Sequence, residues 1–193
     1  MKENKTKPDG RRVRMTKMLL KQSLIELMRE KSIHEISIKD ICGGADINRS
    51  TFYRHYNTQY ELYDDILEDI TGDIGEIYFR CAGEDYTTQL FLAEVLRYIE
   101  NNRDTFLVIL GGHSNISMGE TFNRITSKFL PAESTSELGA YVAQFVAAGM
   151  TSVLWTWLNQ ENRRSAKDVA RVIYALMRHG LRGAIDFTLG NKG

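Results

Sequence analysis

The sequence predicts an all-α chain of about nine helices, and three observations carry that expectation. Only two of the 193 residues are proline, and helix-forming residues dominate. Apolar side chains recur at three- and four-residue spacing along most of the length, and no stretch alternates with the period of two that marks a half-buried strand. Pairs suited to capping boxes stand just before several of these runs, at Ser37/Asp40, Thr58/Glu61 and Ser165/Asp168.

Residues 1–15, MKENKTKPDGRRVRM, hold no apolar run and read as a flexible basic arm rather than a secretory leader. The first helix is expected from about Thr16 to Glu30, with Leu20, Leu24, Leu27 and Met28 inward. KSIHEI interrupts the pattern. A second helix starts at Ser37 and turns Ile38 and Ile41 inward. GGAD stops it, since Gly and Asp tolerate the left-handed backbone that a sharp turn demands. Asn48 suits the N-cap of a third helix, about Arg49 to His55. A long fourth helix runs from Thr58 to near Cys81, with Leu62, Ile66, Leu67, Ile70 and Ile74 on one face. Further helices are expected from about Thr88 to Asn101, through NNRDTFLVIL, and through ETFNRITSKFL, which Pro131 ends. GGHSNISMG is loop by composition.

An uncharged helix then starts near Ser134 to Ser136. Its apolar stripe is Leu138, Tyr141, Val142, Phe145, Met150, Val153, Leu154, Trp157 and Leu158. The last helix opens at Ser165 with Val169, Val172, Ile173, Leu176, Met177 and Leu181 inward. The organisation read from this is an arm (1–15), a domain of three short helices (16–57) and a helical body (58–193), joined without a linker.

The formal net charge is zero, but it is unevenly spread. Residues 1–58 hold 13 Lys/Arg against 7 Asp/Glu, whereas residues 59–193 hold 12 against 18. A basic head on an acidic body suits polyanion binding at one end. Cys42 and Cys81 make no metal-spaced pair and read as reduced, buried thiols of a cytoplasmic protein. Leu138 to Gln160 is free of formal charge for 23 residues, but Gln144, Thr151, Asn159 and several small residues interrupt it. It reads as a helix buried by neighbours or a partner subunit, not as a membrane span. No Gly-rich phosphate loop follows a strand, and no nucleophile stands with a base in motif context, so an enzyme is not expected. The carboxylate pairs Asp64/Asp65 and Glu68/Asp69 read as the exposed side of an amphipathic helix. No cofactor is expected, and His55 has no metal-ligating partner at ligand spacing.

The informative stretch is DINRSTFYRHYNTQYEL, Asp46 to Leu62, where cations and rings are interleaved just after a tight turn. A core would take the rings without the cations; a surface that lies on phosphates and reaches bases takes both. Helix, short turn and helix across Ser37 to Tyr56 have the length of a helix-turn-helix. In that motif the second helix enters the major groove, with its leading residues at the base edges. Arg49 and Ser50 occupy that end, and Arg can bond a guanine through two N–H groups. Ile47, Phe52 and Tyr56 are the inward residues. Tyr53 and His55 lie farther along and suit phosphate oxygens, and Lys39 sits in the first turn of the preceding helix.

SIKDICGGADINRSTFYRHYNTQYEL resembles the DNA-binding domain of the TetR family of bacterial transcriptional repressors: a Ser/Thr cap, an aliphatic first helix, the turn, and a Thr-aromatic-Tyr-x-His-aromatic run. The motif-grade resemblance covers about 16–62, and FVAAGMTSVLWTWL is similar to the C-terminal domain of a Gram-positive branch. The resemblance implies a cytoplasmic homodimer on a palindromic double-stranded operator, paired through the last two long helices and released by a small-molecule effector. Lys39, Arg49, Ser50, Thr51 and Tyr53 match positions that touch bases or adjoining backbone. Ser37, Tyr53, His55 and Thr58 match phosphate clamps. With Asn48 and Gln59 they make up the expected DNA-facing set. Two positions depart from the family pattern: Asp46 stands where Gly is usual, and Gln59 where Lys is usual.

Within the body, Phe79, Phe91, Tyr98, Phe106, Phe122, Phe129 and Trp155 are the candidate lining of an effector pocket, and ordinary core is the competing reading for each. His113 sits in the Gly-rich loop. The alternative function is a co-activator or protein-interaction module that keeps the helix-turn-helix as scaffold without specific DNA binding.

Overall fold

The computed structural model describes residues 8–81, 89–111 and 137–190. Within them the chain forms α1 (Pro8–Leu27), a 3-10 turn (Ile33–Glu35), α2 (Ile38–Ala45), α3 (Arg49–Tyr53), α4 (Gln59–Arg80), α5 (Gln89–Asn101), α6 (Arg103–Leu110), α7 (Glu137–Asn159) and α8 (Ala166–Gly190). No strand occurs among the described residues. The fold is all-α, as the periodicity predicts. The helix expected over ETFNRITSKFL, together with His113, Phe122 and Phe129, lies outside the described residues.

The helices group into two units. Residues 8–69 belong to the first, and 70–111 and 137–190 to the second, so α4 contributes to both. In the first unit, Leu20 and Leu24 of α1 and Met28 just beyond it are fully buried together with Ile33, Ile41, Phe52 and Leu62. α1 begins at Pro8 rather than near Thr16, so residues 8–15 of the expected arm are helical. A proline fits a first turn, because its missing N–H would have had no intrahelical acceptor there.

The turn into α3 also departs from expectation. Gly43 and Gly44 lie inside α2, and Asp46 alone is left-handed, at φ 52°, ψ 44°. Ile47 N–H donates to the Cys42 carbonyl at 3.0 Å and Asp46 N–H to the Gly43 carbonyl at 3.4 Å, the two bonds of a Schellman ending. Gly44 serves close approach instead. A β-carbon there would come 2.5 Å from Ser23 Oγ, which is buried and donates to the Ile41 carbonyl at 2.8 Å. Ser37 and Asp40 form the expected capping box at the start of α2.

In the second unit, α5 packs along α8, and α6 packs against α7 and α5. Phe91, Leu96, Ile99, Phe106, Ile109 and Leu158 are buried. Trp157 Nε1 donates to the Arg164 carbonyl at 2.8 Å, and Arg103 Nε donates to the Leu158 carbonyl at 2.9 Å; together they fix the turn between α7 and α8. Ser165 and Asp168 cap α8 as expected. α8 is interrupted at Gly180, at φ 68°, ψ −170°.

The stripe expected on α7 splits in two. Leu154, Trp157 and Leu158 are buried, whereas Tyr141, Val142 and Phe145 are exposed, Phe145 at 81%. On α8, Ile173 is buried while Leu176 and Met177 are exposed. No helix among the described residues is long and apolar enough to cross a membrane.

Candidate nucleic-acid interface

α3 sorts its side chains by face. Phe52 is fully buried and Tyr56, just beyond the helix, is 4% exposed, whereas Tyr53 is 56% exposed. A five-residue helix can do this because its inward anchors are four apart, one turn of spacing, while Tyr53 falls on the far side. Asn48 caps the helix, its Oδ1 accepting from Ser50 N–H at 2.9 Å and from the Ser50 hydroxyl at 3.0 Å. Arg49 and Ser50 are exposed, and Thr51 and His55 are half-buried.

Ser37, Lys39, Arg49, Tyr53 and Gln59 come together around one concavity of about 420 Å³, with His34, Glu35, Ile36 and Ile38 on its rim. The sequence reading omitted the rim residues, which the 3-10 turn carries. No ion pair among the described residues engages Lys39 or Arg49. Nearby carboxylates are committed to backbone. Glu35 accepts from Ser32 N–H at 2.9 Å and Asp40 from Ser37 N–H at 3.1 Å. The Ser37 hydroxyl and N–H bonds hold the Asp40 carboxyl below its ordinary range. Ser37 itself donates its hydroxyl to Asp40 at 2.7 Å, so a phosphate would compete with the cap for that proton. Thr58 and Gln59 are half-buried at the start of α4, where Thr58 Oγ1 accepts from Glu61 N–H at 3.2 Å.

Behind α3, Asp65 departs from its expected exposed role. Its carboxylate accepts from the Tyr56 hydroxyl, Lys17 and Lys21. The sequence held a signal for this: like charges four apart on two helices, Lys17/Lys21 and Asp65/Asp69, each unfavourable alone and complementary together. Cys42 is buried, which raises its thiol pKa against a lowering by Arg49.

Of the described candidate pocket aromatics, Tyr98 and Phe106 meet edge to face, with 5.9 Å between ring centres. Phe79 projects outward at 75% exposure and Trp155 is also exposed, whereas Phe91 and Phe106 are buried in the core of the second unit. Tyr98 donates to Asp73 at 2.8 Å and borders a concavity of about 320 Å³ whose other walls are Asp73, Glu76, Ile77, Arg80, Glu94, Arg97 and Asn101. That lining is mostly charged and polar. No group of His, Cys, Asp and Glu among the described residues could hold a metal ion.

A family model described as a transcriptional regulator C-terminal region, of the TetR type, matches residues 86–179. Over that region the chain is similar to transcriptional regulators of the TetR type. Its likeness to a crystal structure of a TetR transcriptional regulator from Streptococcus agalactiae covers 87% of this chain and 96% of that one, with a TM-score of 0.64 and 19% identity, and concerns the fold. Among curated relatives, the HTH-type transcriptional regulator YxbF of Bacillus subtilis is 22% identical over 170 residues, 82% of this chain and 43% of its own. The HTH-type dhaKLM operon transcriptional activator DhaS of Lactococcus lactis is 32% identical over 89 residues, 46% of each chain. The matches thus span less than half the length of these relatives.

Proposed function

We propose that this chain is a cytoplasmic, sequence-specific DNA-binding repressor of the TetR type that acts as a homodimer on a palindromic operator and is released by a ligand. One observation carries the DNA reading. Lys39, Arg49 and Tyr53 are exposed together around a single concavity, on a segment anchored from behind by Phe52 and Tyr56. Arg49 supplies base discrimination by bidentate bonding; Lys39, His55 and Thr58 supply phosphate affinity that falls with salt. The exposed Tyr141, Val142 and Phe145 of α7 and Leu176 and Met177 of α8 support pairing of two copies through the last two helices. Two copies are what a palindrome requires. Release by a ligand rests on the family resemblance.

The test is enrichment of a duplex from a randomised pool by the wild-type chain, followed by Arg49→Ala. The variant is expected to lose about 1–3 kcal/mol of discrimination at one base pair per half-site. Enrichment of no duplex would instead favour a protein-interaction module that keeps the fold. A second reading concerns the sign of regulation, because the Lactococcus relative is named an activator. A reporter driven from the enriched duplex decides it: loss of the regulator raises transcription for a repressor and lowers it for an activator.

A further inference from the structure

The recognition segment is short, and its exit is tied down by one carboxylate. After Tyr53 the chain leaves α3 through Arg54 and His55 to Tyr56, whose ring lies 5.7 Å from that of Phe52. The Tyr56 hydroxyl donates to Asp65 Oδ2 on α4 at 2.5 Å. The same oxygen lies 3.1 Å from both Lys17 Nζ and Lys21 Nζ of α1. Lys21 also donates to the Asp65 carbonyl at 3.1 Å and to the Asp69 carboxylate at 2.5 Å. The Lys17 ammonium stands 5.2 Å from the centre of the Tyr56 ring. Three segments therefore meet at Asp65: α1, the exit from α3, and α4. Burial alone would raise the Asp65 pKa; the bonds from Tyr56, Lys17 and Lys21 outweigh it and keep the group ionised.

Phe52 holds the middle of the segment by packing, which permits some rolling. A hydrogen bond of fixed direction at the exit removes that freedom. The distinction matters because the two kinds of DNA contact tolerate error differently. A cation near a phosphate acts at range, whereas an Arg bonded to a base edge through two N–H groups needs its angle set.

We infer that Asp65 is a positioning residue for base discrimination: through the Tyr56 hydroxyl it sets the angle at which Arg49 and Tyr53 meet a duplex. This rests on the DNA-binding reading above. Loss of the bond is expected to weaken specific binding far more than non-specific binding, since the phosphate-facing cations are untouched.

The experiment compares binding to the duplex enriched by the wild-type chain with binding to a scrambled duplex of equal composition. It uses Tyr56→Phe, Asp65→Ala, the double variant and Glu68→Ala, each verified as folded by circular dichroism. Tyr56→Phe keeps the ring and its packing, so it carries the test should Asp65→Ala fail to fold. The specificity ratio is expected to fall about fivefold or more in Tyr56→Phe and in Asp65→Ala, up to the cost of one mismatched base pair. Scrambled-duplex affinity should stay within about twofold for Tyr56→Phe, which leaves every charge in place. The double variant should lose no more than the worse single one, because both break the same bond. A wild-type ratio in folded Tyr56→Phe, or an equal fall in Glu68→Ala, where only a carboxylate on the exposed face of α4 is removed, overturns the inference and leaves the DNA-binding reading standing. Failure of the wild-type chain to enrich any duplex overturns both.

Discussion

Gly43 and Gly44 are adjacent in sequence and opposite in consequence. Nothing lies within 4 Å of a β-carbon placed on Gly43, so Gly43→Ala removes backbone freedom from the unfolded chain at no steric cost. It is expected to raise stability by about 0.5–1 kcal/mol. Gly44→Ala drives a methyl group into Ser23 Oγ and is expected to cost about 1–3 kcal/mol. Urea unfolding of both variants checks the pair. The sequence showed that a turn was needed here but assigned both glycines to it, because the closeness of α1 is a tertiary fact. Asp46, flagged as the departure from the family pattern, is the residue that takes the left-handed backbone. Gln59 is the other departure, half-buried at the start of α4. Under the DNA-binding reading, Gln59→Lys adds one phosphate-facing cation and steepens the slope of log affinity against log salt by about 0.9. A titration at several salt concentrations measures it.

At the scale of elements, the helices were legible wherever apolar spacing or a cap announced them. Ser37/Asp40 and Ser165/Asp168 form as expected, and Phe52 and Tyr56 turn inward. Less legible was where helices stop: α3 ends at Tyr53 and not His55, and α1 starts at Pro8, where basic residues and Gly10 resembled an arm. The lashing of α1 to α4 through Asp65 was missed because charge spacing on one helix does not reveal which helix faces it. It has a pH signature. The folded Asp65 carboxyl titrates below its unfolded value, so its contribution is complete above the ordinary carboxylate range, about pH 4, and is lost as pH falls through the folded pKa. Asp65→Asn is expected to cost about 1–2 kcal/mol at pH 7, discounted for the partial exposure of its partners, with the gap to wild type closing as the solution is acidified. Chemical denaturation across pH 2–7 follows that closure. Tyr56 gives the opposite limb. Burial and then Asp65 raise its pKa, so its contribution is present below the ordinary tyrosine range, about pH 10, and declines above it.

For the whole molecule, the uncharged stretch on α7 was read as a helix that needed more cover than one chain supplies. In the structure its N-terminal half leaves Tyr141, Val142 and Phe145 exposed, while Leu154, Trp157 and Leu158 are buried. If two copies pair there, each substitution counts twice across the symmetry axis. Phe145→Asp is then expected to weaken the pair about a hundredfold or more, from the lost burial of two rings. Light scattering after size exclusion, over a range of protein concentrations, reads the shift toward single chains. Ring content in the body could not be sorted from sequence, because an aromatic side chain looks the same there whether it fills a core, as Phe106 does, or faces solvent, as Phe79 does.

The interruption of α8 at Gly180 lies where, among the amino acids, only one without a side chain rests comfortably. A residue bearing a β-carbon would be strained there, so a substitution at this one position is expected to change the direction in which the helix resumes beyond it.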